Sequence, residues 1–120
     1  MVITKQELSY CQLEFYEHYA ILTMYENSEL NKKNDLEIIE HLETYYGHQD
    51  FILITHRIHK YNIDLEIYKG KRLKHMKGFA IVSKNPEEYK RALVEQELWN
   101  KSFVFFEEIK DATDWAESFF

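Results

Sequence analysis

The chain has 120 residues, 45% hydrophobic and 16% aromatic and spread along the whole length, which argues against disorder and leaves material for one core rather than two. A formal charge of −6 sets it against nucleic acid and anionic membranes unless its cations cluster. With Cys11 as the only cysteine, an intramolecular disulfide and a thiolate metal cage are excluded.

The segments 8–17 and 18–26 are rich in Tyr, Phe, Leu and Ile, with only Glu17-His18 as a turn between them, and they predict an antiparallel strand pair. In the first, Cys11, Leu13 and Phe15 alternate with Gln12 and Glu14, so one face is wet and the strand lies near a sheet edge. Cys11 therefore reads as a small core residue. The second strand is apolar on both faces, hence interior.

Asn34 is expected to cap a helix, with Asp35 and Glu37 in its first turn. Leu36, Ile39, Leu42 and Tyr46 would supply its buried stripe, and Gly47 its stop. Phe51-Ile52-Leu53-Ile54 reads as a central parallel strand covered on both sides. A weaker helix is expected from Asp64 to Lys77, interrupted by Gly70. Gly78-Phe79-Ala80-Ile81-Val82 is a further buried strand. Asn85-Pro86-Glu87-Glu88 is a strong helix start, with a cap, a proline at the first position and a glutamate three residues on. That helix is expected to turn Tyr89, Ala92, Leu93 and Trp99 inward. Phe103-Val104-Phe105-Phe106 is the last strand. Asp111 is expected to cap a final helix with Ala112, Trp115, Ala116, Phe119 and Phe120 on one face.

The predicted order is β-β-α-β-α-β-α-β-α: one α/β domain over residues 1–120, with a five-stranded, mostly parallel sheet whose first strand runs antiparallel. No stretch approaches the roughly 18 apolar residues of a membrane span, and the first residues lack a signal-peptide run, so a cytoplasmic location is expected.

This order of elements, the strands at 51–54 and 79–82 and the closing helix around Trp115 resemble the SpoIIAA-like (STAS-like) fold. The chain is most similar in pattern to small uncharacterised bacterial proteins of that type. In those, the third strand runs into a polar turn with Arg, Tyr and Asp, matched here by Arg57, Tyr61 and Asp64, and a Gly-Phe-Ala-Ile-Val strand follows, as at 78–82. The resemblance implies partner binding, as in anti-sigma-factor antagonists, or the holding of small or lipid-like ligands, as in distant relatives. The phosphorylatable serine of the antagonists has no counterpart, since residues 55–66 contain no serine and Thr55 ends a strand rather than opening a helix.

Open α/β sheets bind ligands at the C-terminal ends of their parallel strands. Projected there are Thr55, His56, Arg57 and His59 after the third strand, Ser83, Lys84 and Asn85 after the fourth, and Asn27-Ser28 after the second. Such a polar mouth suits a phosphate, a carboxylate or a protein partner. Arg57, Tyr61 and Asp64 suggest a clamp in which Arg57 pairs with Asp64 under Tyr61. Lys69, Lys71, Arg72, Lys74 and Lys77 form a basic run without an acid, read as the wet face of a helix. No RNA-recognition aromatic motif accompanies it, and no nucleic-acid partner is expected.

His56 and His59 lack the third and fourth ligands that zinc needs, so no metal is expected. No nucleophile elbow, Walker loop or dinucleotide fingerprint is present, and neither catalysis nor a cofactor is implied. The expected function is thus a non-enzymatic protein-interaction or regulatory domain. The alternative is a carrier or sensor of a small amphipathic or anionic ligand. Phe119-Phe120 are the candidates for packing on a partner or a second copy.

Overall fold

In the computed structural model, which describes residues 2–70, 73–99 and 101–120, strands β1 (Thr4–Glu7), β2 (Cys11–Phe15) and β3 (Tyr19–Met24) open the chain. A two-residue strand β4 (Glu29–Leu30) and helix α1 (Lys32–Tyr46) follow, then β5 (Phe51–His56), the short β6 (Asn62–Ile63) and a 3-10 turn (Leu65–Lys69). The chain closes with β7 (Met76–Val82), α2 (Pro86–Glu97), β8 (Ser102–Phe106) and α3 (Ile109–Glu117).

The main sheet has six strands in the order β1-β2-β3-β5-β7-β8, and β4 and β6 form a separate parallel ribbon. β2 is antiparallel to both neighbours, whereas β3, β5, β7 and β8 are parallel. The expected architecture is therefore present with one more strand. β1, Thr-Lys-Gln-Glu, is exposed throughout and has no apolar periodicity to announce it. Its partner β2 alternates buried and half-buried residues as the pattern requires.

From β3 onward each strand is added on the same side of the one before, so crossovers of one hand all fall on one face. On that face Leu13, Leu22, Leu53, Phe79 and Phe103 meet Ile38 and Leu42 of α1 and Ala92 of α2. α3 comes after the last strand and folds back over the opposite face, where Ile21, Ile52, Ile54, Ala80 and Val82 receive Ala112 and Ala116. The alternation along β5 sorts its side chains between the two layers: 51, 53 and 55 toward α1, 52, 54 and 56 toward α3.

Several local expectations are corrected. α1 starts earlier, because Asn31 rather than Asn34 is the cap: its side chain accepts from the Asn34 N–H at 2.9 Å. The buried stripe is Ile38, Leu42 and Tyr46, with Leu36 turned outward. Gly47 does end the helix, at φ +58°, where a side chain would be strained. The helix expected over 64–77 is not formed by the described residues of that range. Asp64 caps only the 3-10 turn, Gly70 is extended, residues 73–75 form a turn, and Met76 and Lys77 already belong to β7. The expected cap Asp111 lies inside the first turn of α3, and Glu108 occupies the cap position without a side-chain hydrogen bond. Cys11 is fully buried, and burial with the nearby Glu37 charge pushes its thiol up to about 12.

Gly78 lies under an aromatic side chain of α3: a Cβ there would lie 3.0 Å from Ile52 Cδ1 and 3.1 Å from Trp115 Cη2. In an open strand, alanine for glycine would stabilise by limiting the unfolded chain, but here the ring and the fully buried isoleucine must yield. Gly78→Ala is expected to lower stability by about 1–2 kcal/mol, measured by urea denaturation. A stabilised variant would show that α3 is only loosely seated.

Candidate functional site

Two side chains leave the tip of β5 in opposite directions, and they define two different environments. Arg57, held in line by its N–H to the Val82 carbonyl at 2.8 Å, turns toward α2 and is buried. A guanidinium keeps its charge in any protein interior, so it must meet an anion there. Its Nη1 and Nη2 donate to the two oxygens of Glu95 at 2.7 and 2.6 Å, a bidentate pair with side-chain exposures of 1% and 0%. Nη1 also reaches Glu88 at 3.3 Å, and Nε donates to the Tyr61 hydroxyl at 3.0 Å. The Tyr68 hydroxyl donates to Glu95, while Arg91 donates to Glu88 at 3.4 Å and to the Tyr61 carbonyl at 2.9 Å.

Two arginines and two glutamates thus close a neutral cluster. Burial alone would lower the Arg57 pKa, but the Tyr61 oxygen and the hydrogen bond and charge of Glu95 outweigh it, leaving it above the ordinary value. Burial raises the Tyr68 hydroxyl, and the Glu95 charge and hydrogen bond raise it further. Both groups hold their protons at neutral pH. The cluster fastens β5, the 61–68 segment and α2 together and presents no nucleophile or mobile proton.

The Arg57–Asp64 clamp expected from sequence is therefore not formed. Asp64 is spent on its own turn, accepting from the Glu66 N–H at 2.9 Å. Tyr61 does pack by the guanidinium as expected, its ring centroid 5.8 Å from the Arg57 Cζ, and its hydroxyl also accepts from Nε. Glu88 and Glu95 were missed. Their signal was present in the i, i+4, i+7, i+11 stripe of Glu88, Ala92, Glu95 and Trp99, all buried, whereas Tyr89 and Leu93 are 48% and 46% exposed.

His56 points the other way, into an open groove of about 570 Å³ at the ends of β5, β7 and β8, shared with Ile58, Ser83, Lys84, Asn85 and Glu108. The groove brings together most of the expected mouth. The Asn85 side chain caps α2 by accepting from the Glu87 N–H at 3.0 Å, and the buried Ser83 hydroxyl accepts from the Asn85 N–H at 3.1 Å. Exposed Lys84 pairs with Glu108 at 3.1 Å. Ile58 projects at 59% exposure.

The remaining candidates separate. Thr55 is buried on the α1 side, beside an apolar cavity of about 60 Å³ lined by Leu22, Ile38, Leu42, Leu53 and Ile67. His59 is exposed on the loop before β6. Asn27, at φ +62°, and Ser28 lie against that same loop, the Asn27 N–H donating to the Lys60 carbonyl at 2.8 Å. The described members of the basic run do not share a helix face: Lys69 ends the 3-10 turn, pairing with Glu66 at 3.0 Å, and Lys77 lies in β7 at 3.9 Å from Asp50. Lys74 is exposed between them, and Lys71 and Arg72 lie outside the described residues. Phe119 and Phe120 are 40% and 50% exposed, with Phe120 stacked on His18 at 4.4 Å. Among the described residues no three His, Cys, Asp or Glu side chains converge as a metal would require, and no helix is long and apolar enough to cross a membrane.

The crystal structure of an uncharacterised protein of the DUF3478 family from Shewanella loihica PV-4, with a SpoIIAA-like fold, superposes on this chain with a TM-score of 0.60 at 17% identity. The match covers 88% of this chain and 91% of that one. The fold is thus SpoIIAA-like. No family model matches the chain, and no curated protein matches it in sequence.

Two measurements probe the site. Glu95→Ala strands the Arg57 charge and is expected to cost about 3–5 kcal/mol in chemical denaturation, while Lys84→Ala in the groove should cost little. Equal losses would mean the buried pair carries no special weight. Burial lowers the His56 pKa from its ordinary 6.5, with the Glu14 charge opposing. The unfolded chain therefore takes up the proton first. Stability attributable to His56 is full above 6.5 and falls as pH drops toward the lower folded value. His56→Gln should flatten that part of the stability–pH curve, and an unchanged slope would contradict the burial.

Proposed function

We propose that this chain is a non-enzymatic interaction domain that docks a protein partner at the groove beyond the ends of β5, β7 and β8. The supporting observation is the division of labour at the tip of β5. The charged groups strong enough for chemistry are consumed internally, Arg57 and Glu95 by each other. The surface beside them instead combines a projecting Ile58 with the exposed Lys84–Glu108 pair. An apolar knob among exchangeable charges suits a polypeptide, which supplies both apolar contacts and counter-charges. SpoIIAA-like architecture is compatible with this reading without requiring it, since fold alone does not set function.

A second reading has its own support in the cavity of about 60 Å³ under α1, whose lining is almost wholly apolar. It would admit a small, mostly apolar molecule of a few heavy atoms, and the domain would then act as a carrier or sensor.

Native mass spectrometry of the protein purified from its own cell, as wild type and as Ile58→Asp/Lys84→Glu, tests both readings. A co-purifying polypeptide that the double variant loses is the expected result. A polypeptide retained by the variant would remove the groove from the interface. A bound small molecule expelled by the cavity-filling Leu53→Phe would favour the carrier.

A further inference from the structure

The two edges of the main sheet differ in kind. β1 exposes Thr4, Lys5, Gln6 and Glu7, and such charged, polar edges resist pairing with another strand. β8 is Ser-Phe-Val-Phe-Phe, carries no charge, and has a neighbour in the sheet on one side only. Its outer half is also apolar beyond the strand. Tyr89 and Leu93 of α2 flank it, each about half exposed, and the Tyr89 ring meets Phe105 edge-on at 5.1 Å.

The ladder fixes which peptide groups face outward. The Ser83 N–H donates to the Phe106 carbonyl, so Phe106 addresses β7, and so by alternation do Val104 and Ser102. Phe103 and Phe105 therefore present their N–H and C=O groups to the open side. Among the described residues, the Gln96 side chain lies 3.4 Å from the Phe103 carbonyl there.

We infer that β8 pairs antiparallel with β8 of a second copy, about a twofold axis through Val104, extending the sheet across a homodimer. Three features select that occupant and register. A strand edge is self-complementary under a twofold axis. Placing Val104 opposite its own copy sets Phe103 opposite Phe105, both with outward peptide groups, so each such pair exchanges two hydrogen bonds. The same register sets Lys101 of one copy opposite Glu107 of the other at both ends, the two charges that bracket this uncharged strand. Both are exposed. Lys101 makes only long contacts within its own chain, at 3.5 and 3.4 Å to the Leu73 and Met76 carbonyls, which its stem can exchange for a carboxylate. Slipping the register by two residues loses the match.

The test is sedimentation equilibrium of the purified chain over a wide concentration range, with Lys101→Glu and Glu107→Lys made separately. Wild type is expected to dimerise, and each charge reversal, by opposing like charges twice, to weaken dimerisation by about tenfold or more. An equimolar mixture of the two variants should recover the dimer, because both cross-pairs are then attractive. A wild type that stays monomeric at millimolar concentration overturns the inference, as does a dimer indifferent to both reversals. Urea midpoints extrapolated to low protein concentration should match among the three, and Phe105→Pro, which deletes an outward N–H, should abolish the dimer while keeping the far-ultraviolet spectrum. Glu107 also lines the groove, whereas Lys101 does not, so Lys101→Glu is the variant that weakens the dimer while leaving the groove reading to stand or fall separately.

Discussion

Arg57 carries a charge that burial cannot remove, and the arrangement of one whole face of the sheet follows from where that charge is neutralised. The bidentate pair with Glu95 sets how α2 rotates about its axis. Glu88, Ala92, Glu95 and Trp99 face inward, and Tyr89 and Leu93 are turned to the flank. Tyr61 and Tyr68 complete the shell, which ties the irregular 61–68 segment to a helix and a strand tip far from it in sequence. A buried ion pair of this kind need not add net stability over an apolar packing, but it admits very few alternative arrangements. Each donor has its acceptor in only one rotation of the helix.

That constraint also separates structural charge from surface charge. Arg57, Glu88, Lys84, His56 and Glu108 gather around the strand-tip region from separate parts of the chain, and proximity alone would suggest a reactive centre. The alternation of β5 sends the Arg57 side chain to one layer and that of His56 to the other, so although both residues line the groove, the guanidinium is buried against Glu95 while the imidazole is only half-buried. At the groove itself the charged side chains Lys84 and Glu108 are exposed and pair with each other.

The one-directional addition of strands has a further effect on the surface. It places α1 and α2 on one face and leaves α3 to cover the other, where small residues, Ala112 and Ala116, let it seat closely over Gly78. It also puts a polar hairpin strand at one end of the sheet and an aromatic strand at the other. The molecule consequently has a polar edge and an apolar one, an asymmetry that bears on how it meets other chains.

Element type and order were legible in the sequence wherever apolar periodicity was strong and local. The β2–β3 pair, the runs at 51–54 and 78–82, the Asn85-Pro86 helix start and the 103–106 strand are where the pattern puts them, and the SpoIIAA-like resemblance follows from that order. Only the tertiary structure decided three things. β1 is a strand because β2 offers it an unpaired edge, not because its own residues alternate. Among its described residues the 64–77 segment is a 3-10 turn, a turn at 73–75 and the first two residues of β7 rather than a helix. Above all, the inward face of α2 carries two glutamates, which a hydrophobicity argument assigns to solvent. Local pattern records which side chains avoid water, but the partner that lets a charge leave water stands 38 residues away, and only the fold brings Arg57 to Glu95.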